Sequence, residues 1–177
     1  MRASSLIAIW ITVAAGCGKT DPMADALDPT ADAAAACADP IGLTIGRCVE
    51  QGGMPCSSVT DTEPRFEAVG GGDSVPLVIG FQGAPMFALA VRATGIDPGM
   101  ESMPESQPRI DAELFDAAEQ NLSNYSVSIP MPAVSGEADT YEWLYVFLAV
   151  AGAGNELEGQ ALTADLRVVD QANTTRC

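Results

Sequence analysis

The chain has 177 residues, 47% of them hydrophobic, with 8 basic against 24 acidic residues, no histidine and a formal net charge of -16 at pH 7. That length suits one domain with a leader and a tether, and the acidity repels nucleic acid, so no nucleic-acid partner is expected. Lack of imidazole excludes Ser-His-Asp and Cys-His machinery and His-ligated metals; the lone lysine, Lys19, leaves Ser-Lys and Schiff-base chemistry no resident in the domain.

Residues 1–16 read as a lipoprotein signal peptide: Arg2, an apolar run from Leu6 to Ala15, then small residues. The run is too short to span the hydrocarbon core as a helix. Ala14-Ala15-Gly16-Cys17 resembles the bacterial lipobox, in which small residues precede a Cys that receives a diacylglycerol thioether and becomes the new N-terminus. Ala14 stands where Leu is usual, and ordinary cleavage with Cys17 left as a plain thiol is the alternative. Lipidation of Cys17 implies attachment at the cell envelope, to the outer membrane or cell surface, through the N-terminal lipid. Loss of Arg2 with the leader makes the mature charge -17, the precursor's -16 less one positive charge.

Residues 17–36 carry that Cys and then a tether rich in Asp, Ala and Pro without core-forming periodicity. Fully extended, it reaches about 60 Å at roughly 3.3 Å per residue. The domain occupies residues 37–177. Setting Cys17 aside, Cys37, Cys48, Cys56 and Cys177 form an even set suited to two disulfides in an oxidising compartment, with three connectivities open. Cys177, the last residue, is expected to pair back onto the Cys37 to Cys56 region. Zinc is disfavoured, because the spacings are long and no His is available.

Residues 37–63 look loop-rich, with Leu43-Thr44-Ile45 and Cys48-Val49 as short strand-like pieces. A short strand is expected at Arg65 to Val69, then a hairpin of Val75 to Phe81 and Pro85 to Thr94 around a Gln82-Gly83 turn. The second hairpin strand is apolar on both faces, as in the middle of a sheet. Arg109 to Phe115 alternates as a half-wet strand, followed by a turn and a second strand from Tyr125 to Met131, with a short helix from Asp116 to Leu122 as the alternative. Thr140 to Val150 is the most apolar run of the mature chain, and Ala161 to Val169 alternates with one wet face. About seven short strands point to an all-β fold, a two-sheet antiparallel sandwich of immunoglobulin-like type.

Candidate chemistry is confined to carboxylates. Asp111 and Glu113, at i and i+2, share a strand face about 7 Å apart and are the only pair placed for glycosidase work, against the plainer reading of a solvated face. Asp97, Glu101, Glu137, Asp139, Asn155, Glu156 and Glu158 are hard oxygen donors that a calcium ion could use if one end of the sandwich gathered them, though no EF-hand spacing exists. Trp143 and Tyr145 are expected either in the core or as an aromatic binding surface. No cofactor is expected.

From Gly72-Asp73 through an apolar strand, Gly80 and Gln82-Gly83 to Arg92-Ala93-Thr94-Gly95, the chain resembles a family of uncharacterised predicted lipoproteins of myxobacteria and related Gram-negative bacteria. Gly159 and Asp170 fit the same pattern near the C-terminus, and about half the chain is covered. Phe81, Ala84 and Met86 depart from the family's usual Gly-Pro-Gln-Gly-Gly-like turn followed by His. The resemblance implies an envelope lipoprotein with a β-sandwich and no assigned activity. The expected function is therefore a non-catalytic, lipid-anchored binding or structural module for an unknown protein or glycan. Calcium-dependent adhesion and a carboxylate-dependent glycosidase are the alternatives.

Overall fold

The computed structural model describes residues 10–11, 42–50, 52–60, 63–80, 82–152, 155–172 and 175–177. Apart from Trp10 and Ile11, the expected signal peptide, Cys17, the tether and Cys37 lie outside the described residues. The strands are β1 (Trp10–Ile11), β2 (Leu43–Val49), β3 (Arg65–Ala68), β4 (Leu77–Ile79), β5 (Pro85–Thr94), β6 (Arg109–Phe115), β7 (Asn121–Ser128), β8 (Thr140–Ala149), β9 (Ala161–Val169) and β10 (Thr175–Arg176). Short 3-10 turns at Pro104–Ser106 and Asn155–Leu157 are the helical segments among the described residues.

Two sheets form, as the strand pattern predicts. Sheet one runs β7-β6-β9, with β10 and the two-residue β1 both pairing β9. Sheet two runs β3-β2-β5-β8, and β4 takes over from β2 along the same edge of β5: β2 pairs residues 89–93 and β4 pairs residues 85–87. Every pairing is antiparallel except β1 with β9, where Trp10 and Ile11 lie beside Ala161 and Leu162. The inward residues close one core. Phe87, Leu89 and Val91 of β5 and Val146 and Leu148 of β8 meet Ile110 and Leu114 of β6 and Leu162, Leu166 and Val168 of β9. Full burial of each such side chain contributes about 1.5 to 3 kcal/mol.

β5 matches its sequence reading to the residue. Seven consecutive positions from Pro85 to Val91 are buried, because the strand has neighbours on both edges and cover on both faces. β6 and β9 alternate buried and half-buried, which is the signature of one wet face.

Three local expectations are corrected. Residues 43–49 are one continuous strand rather than two fragments in a loop. Gly46 at its middle does not break it: a Cβ there would stand 2.4 Å from the Phe66 ring and 2.7 Å from the Glu67 carbonyl, so glycine lets Phe66 lie flat across β2. The first hairpin strand shortens to Leu77–Ile79, since Pro76 has no N–H to donate and β2 already holds the rest of that β5 edge. Val75 instead plugs the core, 1% exposed. The turn expected after β6 is found at Asp116 to Gln120. The Asp116 carboxylate accepts from the N–H groups of Ala118 (2.8 Å) and Gln120 (2.9 Å), and Glu119 is left-handed at φ 61. β7 therefore starts at Asn121 and stops at Ser128, before Pro130 and Pro132, instead of running from Tyr125 to Met131.

The strands alternate in direction, so the loops divide cleanly. At the entry end, where Gly42 leads into β2, lie residues 95–108, 129–139 and 170–172. At the far end lie residues 80, 82–84, 116–120, 150–152 and 155–160.

Candidate functional site

The outer face of sheet one carries the polar side chains that the alternation of β6, β7 and β9 pushes outward. Register sets them in rows. Ser126, Asp111 and Arg167 stand side by side across β7, β6 and β9, and Asn124, Glu113 and Asp165 form the next row. Together with Arg109 they line a shallow hollow of about 500 Å³. Asp111 is well held: it accepts from Arg109 Nε at 2.8 Å and from the Ser126 hydroxyl at 2.7 Å. Glu113 accepts from the Asn121 amide at 3.2 Å. The side chains of Asp165 and Arg167 make no hydrogen bond or ion pair with the described residues. The sequence placed Asp111 and Glu113 on one polar face, and the structure puts them there. What sequence reasoning missed is that β9 brings Asp165 and Arg167 alongside; the alternation of β9 was readable, but its pairing with β6 was not.

A second hollow of similar size opens on the outer face of sheet two, beside Arg92. Its guanidinium lies 4.4 Å above the Phe66 ring and bonds Glu142 and Glu137, both at 2.9 Å. With its charge matched twice and one face stacked, Arg92 acts as a clamp that ties residues 137–142 to β5 and β3.

The expected calcium donors do not converge. Asp97, Glu101, Glu137 and Asp139 belong to the entry end, whereas Asn155, Glu156 and Glu158 belong to the far end. Asp97 is occupied locally: its carboxylate accepts from Gly99 N–H and its own N–H donates to the buried Asp170 carboxylate at 3.0 Å. Glu137 is taken by Arg92. Among the described residues no group of three or more His, Cys, Asp or Glu side chains could hold a metal ion.

Trp143 and Tyr145 are half-buried on β8 rather than laid out as a platform. One residue more on β8 than on β5 is fitted between the pairs Val91–Trp143 and Leu89–Val146, a β-bulge. The Tyr145 carbonyl there accepts from the Tyr125 hydroxyl of β7 at 3.1 Å and from Trp143 Nε1 at 3.2 Å. The three groups join the edges of the two sheets. The Trp143 and Tyr145 rings meet edge-on at 5.4 Å. Burial pushes the Tyr125 hydroxyl above the usual tyrosine range, and the bond from Trp143 offsets part of that rise.

Cys48 and Cys56 form a disulfide with both residues at 0% exposure, which closes the hairpin loop after β2 and selects one pair from the expected set. Cys177 is also disulfide-bonded, to a partner outside the described residues. Among the described residues, no helix is long and apolar enough to cross a membrane. No protein-family model, no curated protein and no solved structure matches this chain.

Proposed function

We propose that this chain is a non-catalytic binding module held at the cell envelope by lipid on Cys17. The observation that carries the reading is cysteine parity. Of five cysteines, Cys48 and Cys56 bridge each other and Cys177 takes a further partner, so an odd thiol is left over. An odd thiol in an oxidising compartment needs a reason to stay unpaired, and a lipidated N-terminal Cys supplies it. The sequence supports the same reading: residues 17–36, rich in Asp, Ala and Pro, precede β2, which begins at Leu43. The carboxylates that a glycosidase would need are spent on Arg109, Ser126 and Asn121 on an open sheet face. The test is cell fractionation. Cys17→Ser moves the protein from the membrane fraction to the soluble fraction; a variant still in the membrane fraction overturns the anchor.

A further inference from the structure

The hollow on β6 and β9 contains two charged groups that the chain itself leaves unused. Asp165 and Arg167 are half-buried and lie two residues apart on one strand face, and their side chains make no hydrogen bond or ion pair with the described residues. Asp165 stands directly opposite Glu113, a like-charge cross-strand pair that is unfavourable unless a cation comes between them. Arg167 stands opposite Asp111, whose oxygens are already given to Arg109 and Ser126.

We propose that this hollow binds a small zwitterion of the short-peptide class, its carboxylate on Arg167 and its ammonium between Asp165 and Glu113. The assignment rests on the binding-module reading above. Charge balance selects the ligand: three carboxylates, Asp111, Glu113 and Asp165, oppose a simple anion, while Arg109 and Arg167 oppose a simple cation. Metal is a poor occupant: among the described residues no group of three or more His, Cys, Asp or Glu side chains could hold a metal ion. Length agrees too. Side chains at i and i+2 on a strand stand about 7 Å apart, and a dipeptide extends over about the same distance at roughly 3.5 Å per residue. The arginine fork can take a carboxylate in two parallel bonds, and the facing carboxylates can share the ammonium protons.

The experiment titrates detergent-solubilised full-length protein with L-alanyl-L-alanine, read by calorimetry and by amide chemical shifts. Saturable binding is expected, with shifts centred on β6 and β9. Arg167→Gln and Asp165→Asn each weaken it by about tenfold or more, as do N-acetylation or C-terminal amidation of the probe. No binding up to about 10 mM, equal binding of the capped probes, or variants that bind as the parent protein overturns the site. The capped probes act on the unaltered protein, so that arm is decisive even if a variant folds poorly. Release of free alanine would support the site and overturn the non-catalytic reading; absent binding with Cys17-dependent fractionation intact overturns the site alone.

Discussion

The two outer faces of the sandwich are built from strands of similar length and treat water in opposite ways. On sheet one the outward residues of β6 and β9 include Asp111, Glu113, Asp165 and Arg167, which stay half-exposed. On sheet two the outward residues of β5 include Ala88 and Ala90, 3% and 0% exposed, with Phe66 laid across Gly46 beside them. The buried Cys48–Cys56 bridge is anchored on the same strand, β2, through Cys48. Sheet two thus carries a thin second apolar layer outside the main core, and sheet one does not. A small domain with few aromatics gains cohesion from that layer, and the opposite face keeps its charged side chains in contact with water.

Charge placed on each face separates them most sharply. Ala90→Asp buries an unpaired carboxylate and should destabilise by about 3 kcal/mol or more, whereas Glu113→Ala should stay within about 0.5 kcal/mol. Denaturant melts of the two variants measure the gap, and similar losses would show that sheet two's outer face is not a dry layer. Removing the bridge comes next. Cys48→Ala with Cys56→Ala frees a loop of sequence separation 8 and should cost about 2.5 kcal/mol by chain entropy. A loss well under half that would mean that Phe66 and Gly46 hold β2 against β3 without it.

The smallest effect is at the seam between the sheets. Tyr125→Phe removes the hydroxyl bond to the Tyr145 carbonyl and should cost about 1 kcal/mol at neutral pH. Because folding raises the Tyr125 pKa, the folded state holds its proton longer than the unfolded chain. The parent's stability is therefore full below the ordinary tyrosine value of about 10 and declines as pH rises through the raised value. The Phe variant lacks this decline, so the stability difference narrows above pH 10. A difference constant with pH would place Tyr125 in water.

Strand content was legible wherever local pattern and final environment coincide. β5, β6 and β9 have the boundaries that their apolar runs and alternations predict, because burial on two faces or one leaves a direct mark on residue order. Gly46 misled for a reason: glycine reads locally as a break, and only the Phe66 ring from the next strand shows it to be a seat. The Asp116 turn was ambiguous because Leu114, Ala118 and Leu122 have helical spacing, while the carboxylate that caps the turn decides the conformation. Of the hollow, Asp111 and Glu113 could be read from one strand, and Asp165 and Arg167 could not, since they lie more than fifty residues away in sequence.

By itself the sequence determined the all-β architecture, the acidity, the lack of imidazole chemistry and the even cysteine set left once Cys17 is set aside. These depend on composition and on periods of two residues. Tertiary structure alone decided which cysteines meet, that the acidic loops divide between opposite ends, and that β9 lies against β6. Strand pairing is a long-range choice, settled by how the apolar faces fill one core, and no local stretch of chain encodes its neighbour across a sheet.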